Sequence, residues 1–306
     1  EEARGLHAHE EAAELLAAAL EALAGDPAAT AGERYDLLLR LIEAYRWAAL
    51  VPELVRTVER AIDVAEEIGD LERAARAALS ATEGGLWQSS PDGVNARVVA
   101  TLRAGLEQLP DGDGDLRCRV MLALANELSN VVPVPENRGL VDDALAMADR
   151  VGDPWLRLHA RLVATSVVRT PSTAAERLAW VTEAVALARD AEAEQAFVVA
   201  STWRTVVLSE LGRADEMAAA AAVTHAEAER LRIPYGELVL GAVTTPWLAL
   251  RGRFDEAARM HERMRVWAGR VNEAFAGEAL AAAQATLWMW QGEELRAAET
   301  VATIAD

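Results

Sequence analysis

The chain has 306 residues, of which 49 are Asp or Glu and 30 are basic, giving a formal net charge of −19. All thirty basic residues are Arg, and no Lys occurs anywhere. An acidic surface excludes general binding to phosphate backbones, and a chain without Lys has no intact G-x-x-x-x-G-K-[ST] loop, Schiff-base lysine or Ser–Lys dyad. One cysteine, Cys118, leaves no intrachain disulfide framework and no multi-Cys metal site. No run of about 18 uncharged apolar residues occurs. The charged opening Glu1-Glu2-Ala3-Arg4 is not that of a signal peptide, so a soluble, cytoplasmic protein is expected.

In chain order, an unpaired helix is expected over about 8–24, followed by alternating helices of two classes. The first member of each pair is expected at about 34–48, 71–89, 115–130, 154–170, 193–211, 233–251 and 273–291. The second members fall at about 52–68, 94–109, 137–151, 173–190, 213–231 and 253–270, and a last helix opens at about 293. The punctuation comes from a repeat. Leu211-Gly212-Arg213-Ala214-Asp215-Glu216, Arg251-Gly252-Arg253-Phe254-Asp255-Glu256 and Gln291-Gly292-Glu293-Glu294 place glycines forty residues apart, twice over. A second junction runs half a period away, at Gly152-Asp153-Pro154, near Glu192, at Arg232-Ile233-Pro234 and near Asn272. Upstream it recurs at Gly69-Asp70 and, more loosely, over Asp111–Asp115. Gly at such a junction supplies the left-handed residue that ends a helix. The acid after it sits where the next helix dipole favours negative charge.

The two classes differ in polarity. Residues 238–250 carry no acid or base, whereas 253–265 alternates charges around Phe254, Ala257, Ala258, His261 and Met264, an amphipathic stripe. The first members should therefore form the inner, more buried layer and the second members the outer, wetted one. The fold expected is all-α: a right-handed superhelix of antiparallel helix pairs, like tetratricopeptide repeats but with a forty-residue period. It would form a single domain over 1–306, looser in 1–151, regular in 152–306, with its last repeat incomplete. Val301 and Ile304, with Leu295 nearer the turn, would leave an apolar stripe uncovered there, and weak self-association is expected through it.

The segments ERYDLLLRLIEAYRWAA (33–49), AIDVAEEIGDLERAARAAL (61–79), ALAMADRVGDPWLRLHARLVA (144–164), WRTVVLSELGRADEM (203–217) and LALRGRFDEAARM (248–260) recur in that order. Together they resemble the C-terminal helical-repeat region of large bacterial signal-transduction ATPase regulators, of the antibiotic-regulatory-protein and LuxR-type large ATP-binding classes. The resemblance implies a sensor or scaffold segment working beside ATPase and DNA-binding parts that these 306 residues do not include.

Chemical motifs are sparse. Asp111-x-Asp113-x-Asp115 looks like the start of a calcium loop, but Leu116 stands where Gly is required and Leu122 where Glu is required, so a solvated turn is expected. Asp142-Asp143 has no third acid at Ala146 or Met147. The histidines (His7, His9, His159, His225, His261) show no i,i+4 pair, and no metal or other cofactor is expected. Cys118 lies between two arginines, which could lower a thiol pKa. It also shares an apolar helix face with Met121, Leu122 and Ala125, which points instead to a buried, inert thiol.

Nine Trp stand against three Phe and three Tyr. Trp47, Trp87, Trp155, Trp203, Trp247, Trp288 and Trp290 fall on inner helices, Trp180 and Trp267 on outer ones. They either fill space between Ala-rich helices or line a concave face, since Trp and Arg are enriched in binding hot spots. Arg46-Trp47 and Trp203-Arg204 place a cation beside a ring. Pro246, inside an apolar segment, would kink or break its helix and free carbonyls, or simply follow the curvature of the stack. The residues expected to face a solvated inner groove are His159, Arg161, Thr165, Trp203, Arg204, Thr244, Trp247, Gln284 and Trp288. Burying such groups unpaired costs a few kcal/mol each, and Arg161 and Arg204 would favour an acidic or carboxylate-bearing peptide or small molecule.

The function expected is a non-enzymatic module that binds a protein, a peptide or a small acidic effector and relays this to attached regulatory parts. It would make no direct contact with nucleic acid or membrane. The alternatives are a free-standing adaptor and, remotely, an all-helical enzyme such as an isoprenoid cyclase, which would need an acidic metal-binding motif.

Overall fold

A computed structural model describes residues 9–83, 94–268 and 273–305. Its α-helices are α1 (His9–Ala24), α2 (Ala31–Trp47), α3 (Val51–Ile68), α4 (Leu71–Leu79), α5 (Ala96–Gln108), α6 (Asp115–Leu128), α7 (Val134–Val151), α8 (Pro154–Val167), α9 (Ala174–Asp190), α10 (Glu194–Glu210), α11 (Ala214–Leu231), α12 (Pro234–Leu250), α13 (Phe254–Ala268), α14 (Glu273–Gln291) and α15 (Glu294–Ala305). A 3-10 turn at Pro171–Thr173 leads into α9, and no strand occurs among the described residues. The chain packs as two compact units, Glu1–Phe197 and Val198–Asp306.

The glycine junctions stand where the repeat puts them. Gly69, Gly152, Gly212, Gly252 and Gly292 all take positive φ between 69 and 82°, the left-handed geometry that lets a chain leave one helix and enter the next. At the alternate junctions Glu192 (φ 52°) and Arg232 (φ 53°) make the same turn without glycine. A left-handed residue with a Cβ costs about 1–2 kcal/mol, so packing on either side holds these two turns. The Asp after the glycine serves as a cap: Asp70 accepts from Arg73 N–H at 3.0 Å and Asp153 from Leu156 N–H at 2.8 Å. Thr30 and Glu33 form a reciprocal capping box at the start of α2.

Some boundaries differ from the sequence reading. Helix α4 ends at Leu79 and not near 89, with a turn over 80–83; Trp87 and the Asn272 junction lie outside the described residues. Helix α7 starts earlier than the reading placed it, because Pro133 and Pro135 sit at its first turn, where a missing N–H costs nothing. Pro246 does not end α12, which runs unbroken to Leu250.

Inner helices α6, α8 and α10 are more buried than the outer helices that follow them. Helix α6 shows why Ala is so abundant. Its Leu116, Val120, Ala123 and Leu124 belong to a core shared with α1–α5, while Cys118, Met121, Leu122 and Ala125 belong to a second core shared with α7 and α8. A helix buried on both flanks has room for few large side chains. Between α4 and α5 the approach is closer still. A Cβ built on Gly105 would stand 2.6 Å from the Ala75 methyl.

Several arginines on the outer helices are matched by carboxylates in the same layer or an adjoining turn. Arg97 reaches Asp63 and Glu66 on α3, Arg138 reaches Asp142 and, bidentately, Glu176 on α9, and Arg150 reaches Asp113 bidentately at 2.7 Å. The Asp111–Asp115 stretch is thus a solvated turn whose middle acid is tied to an arginine. In the regular repeats Arg213–Glu216 and Arg253–Glu256 are identical i,i+3 pairs, and the third repeat reverses the signs as Glu293–Arg296.

Gly105→Ala should destabilise the protein by about 1–3 kcal/mol, because the added methyl forces α4 and α5 apart. Gly139→Ala, in α7 with nothing within 4 Å of the new methyl, should stabilise by about 0.5–1 kcal/mol through helix propensity alone. Urea unfolding of the two variants measures both, and destabilisation of similar size in each would refute the close-approach argument.

Candidate functional site

The inner helices carry side chains that the sequence placed on a common face, and the structure sorts them. Within unit 1, Thr165 is fully buried on α8 and its hydroxyl donates to the Arg161 carbonyl at 2.7 Å. Arg161 is buried as well. Its Nε donates to Glu183 on α9 at 2.9 Å and its Nη2 to Asp149 on α7 at 2.7 Å, which makes it a tie between an inner helix and two outer ones. His159 is buried on the same helix but has a different neighbourhood, described below.

Within unit 2, Thr244 is buried and bonded to its own helix through the Leu240 carbonyl at 2.7 Å. Trp203 is buried with its indole N–H lacking a hydrogen-bond partner, and the half-buried Trp247 is alike in this. Arg251 and Arg253 lie over the Trp247 ring at 5.9 and 5.8 Å, and Arg296 lies over Trp288 at 4.9 Å. These two rings are therefore covered by arginines from the turn and outer helix that follow. Arg204 and Gln284 are half-buried, and Arg204 Nε has no partner. Trp155 and Trp290 are about half exposed.

The most concentrated polar feature lies on the inner segments of unit 1. Arg46 at the end of α2, Glu83 in the turn after α4, Arg119 on α6 and His159 on α8 act on one another electrostatically. Arg119 Nη2 donates to Glu83 and its Nη1 reaches Asp115 at 3.4 Å, while Arg46 Nη2 donates to the Ser80 carbonyl. Burial raises the Glu83 pKa, yet the two guanidiniums and His159 outweigh it and hold the carboxyl below its ordinary range. Burial pushes the His159 imidazole down to about 4, so it is neutral at pH 7. Of these four, the sequence reading singled out only His159 as a site residue. Arg46 was noted beside Trp47, but Glu83 and Arg119 carry no motif that marks them.

Trp47, beside Arg46, has the His9 ring of α1 against it, with centroids 6.3 Å apart. The same His9 ring meets Gln195 Nε2 on the first turn of α10 at 3.3 Å. One residue of α1 therefore touches two inner helices far apart in sequence.

Other titratable groups are structural. Cys118 is fully buried, its thiol donates to the Ala144 carbonyl at 3.2 Å, and burial pushes its pKa up to about 12, as suits an inert thiol. In unit 2, Glu237 is buried between His225 Nδ1 at 3.2 Å and Arg263 Nη2 at 2.8 Å, and these partners hold its pKa down against burial. Among the described residues no group of three or more His, Cys, Asp or Glu side chains is placed to hold a metal ion, and no helix is long and apolar enough to cross a membrane.

Arg161→Ala should lower stability by about 2 kcal/mol, the cost of two charged hydrogen bonds whose carboxylates stay partly solvated; thermal melting measures it. His159 adds a pH dependence. Its folded pKa lies below its unfolded one, so the unfolded chain binds the extra proton, and stability falls as the pH drops from about 6.5 towards 4. His159→Gln should flatten the change in urea midpoint over that window, and an unchanged slope would contradict the burial of a neutral imidazole.

No protein-family model and no curated protein matches the chain. Among solved structures it is similar to a Rap protein complexed with Competence and Sporulation Factor, with a TM-score of 0.55 and 14% identity over 89% of this chain and 77% of that one. At that identity the likeness is one of fold, and it is the tetratricopeptide-like helical-repeat fold that the forty-residue period implies.

Proposed function

We propose that this chain is a non-enzymatic helical-repeat module whose inner helix layer receives a protein or peptide partner, or a small acidic effector. Within a bacterial transcriptional regulator it would relay that event to attached ATPase and DNA-binding segments. The observation that carries the reading is the contrast between the two layers. Outer-layer Arg97 and Arg138 meet carboxylates of the same layer, whereas the inner layer gathers Arg46, Glu83, Arg119 and His159 from four successive segments. The fold supports it too, since the similar Rap protein was solved with a bound factor. The resemblance of the repeat motifs to the regulators' C-terminal region supplies the transcriptional context. A free-standing adaptor is the second reading.

Of the nine residues expected to face a groove, Thr165 and Thr244 commit their hydroxyls to their own helices and Arg161 ties an inner helix to two outer ones, so the ligand-facing residues proposed are His159, Trp203, Arg204, Trp247, Gln284 and Trp288. Arg204 and Gln284 test them best, being half-buried and uninvolved in the ion pairs described above. Peptides selected from a displayed random library on the purified protein should be rich in Asp and Glu, and calorimetry should show Arg204→Ala weakening them about 10- to 100-fold, as loss of a charged hydrogen bond does. Failure to select any binder, or binders indifferent to Arg204→Ala, Gln284→Ala and Arg119→Gln alike, would defeat the reading.

A further inference from the structure

The forty-residue period of unit 2 lets the surfaces of successive helix pairs be compared position by position. One flank of the pair α12 and α13 is occupied by the next inner helix, α14. Ala249 is only 1% exposed there and shares a core with Leu248, Ala257 and Leu287. On the same flank His261 Nε2 donates to the Leu280 carbonyl of α14 at 3.1 Å. Forty residues on, the positions of Ala249 and His261 are taken by Met289 on α14 and Val301 on α15. Met289 is 54% exposed and Val301 52%. A flank that receives a helix in one pair therefore lies open in the next.

The open flank has the composition of an interface. Residues 279–292 carry no acid or base. Ala282, Thr286 and Met289 follow one another at helical spacing and share one face of α14, with Ala282 and Met289 exposed. The Thr286 hydroxyl donates to the Ala282 carbonyl at 2.8 Å, so the middle of the face needs no outside partner. Charge stands only at the rims, with Glu278 at one end and Glu293, paired with Arg296 at 2.5 Å, at the other. Two chains of net charge −19 repel one another over most of their surface, and this flank lets copies approach without opposing like charges at its centre. The face is also graded in size, small at Ala282 and large at Met289. Laid antiparallel on a second copy about a two-fold axis beside Thr286, it sets Met289 of each copy over Ala282 of the other.

We propose that this flank of α14 and α15 is an interface with a second copy of the chain. The two α14 helices lie antiparallel in a two-fold dimer, Met289 of each seated on Ala282 of the other, with Val301 covered at the edge. A two-fold contact uses the flank once on each copy, so assembly stops at two. One helix flank from each copy falls in the class of interfaces below about 1,200 Å², and a dissociation constant of about 1–100 μM suits a contact of that size. Gln284 is rotated to another side of α14 from Ala282 and Met289, so the dimer leaves the ligand-facing residues proposed above accessible.

Sedimentation velocity of the full chain, from micromolar to millimolar concentration, should show a monomer–dimer equilibrium. Dimerisation should strengthen as salt rises, because screening relieves the repulsion of two acidic chains and the contact itself holds no ion pair. Met289→Glu and Ala282→Arg should each weaken it about 10-fold or more, the cost of desolvating an unpaired charge. Their melting temperatures should match that of the parent chain, since both positions are exposed. Mixed together, the two variants should recover a heterodimer, because position 289 of one copy faces position 282 of the other only in the antiparallel arrangement. Val223→Glu, on α11 and 56% exposed, is the control that leaves dimerisation unchanged. A chain that stays monomeric at millimolar concentration, an assembly that grows past the dimer, a dimer that salt dissolves, or folded variants that fail to weaken it or to recover on mixing would each overturn the proposal. The inner-layer reading is tested apart from this one, as monomeric Met289→Glu should still bind library-selected peptides.

Discussion

Inner helix α6 of this protein is buried on both flanks, and many features of the stack follow from that constraint. A helix at the surface of an ordinary domain hides one stripe and can fill it with Leu and Ile. An inner helix of a repeat stack must meet the helices before it and those after it, so it has two apolar faces and little room on either. Helix α6 divides its side chains between two cores in this way, and α4 approaches α5 so closely that only Gly105 fits opposite Ala75. Alanine is the economical solution, since it buries without losing side-chain entropy and favours helix as well.

With the inner layer so occupied, charge is sorted by depth. The outer helices carry most of the ionic residues in pairs that water screens, and such pairs contribute little stability individually. Deeper charges are rarer and always supported. Arg161 is held by Asp149 and Glu183, Glu237 by His225 and Arg263, and the wholly buried Arg177 reaches Thr173 and the Thr170 carbonyl. Removing one member of such a set strands the rest in a poorly solvating environment. The Arg46, Glu83, Arg119 and His159 cluster stands apart from them because it joins inner segments to one another.

The buried tryptophans and threonines show two different ways of placing polar groups in a crowded layer. Thr165, Thr202, Thr205 and Thr244 return their hydroxyls to a carbonyl one turn earlier, so they need neither groove nor water. Trp247 and Trp288 are screened by arginines from the following turn and helix, which cover the rings and keep their own charge near solvent. A polar residue interrupting an apolar helix is thus, for these four threonines, a self-satisfied packing element.

The helix-pair architecture, its period and its turns were legible in the sequence, because glycine at 69, 152, 212, 252 and 292 is a local demand of left-handed geometry that no other residue meets as cheaply. The polarity difference between layers was legible for the same kind of reason, as uncharged segments have only the interior to occupy. What the linear pattern could not reveal was which charges meet. Arg161 and His159 lie two positions apart on one helix, yet one binds outer carboxylates and the other faces Glu83, and that division depends on helix rotation within the stack. Glu83 and Arg119 are ordinary charged residues in the sequence and become a cluster only when three helices align. The His9 contacts with Trp47 and Gln195 join positions that no local rule connects. Short-range sterics decided the elements; long-range packing decided where the desolvated charges converge.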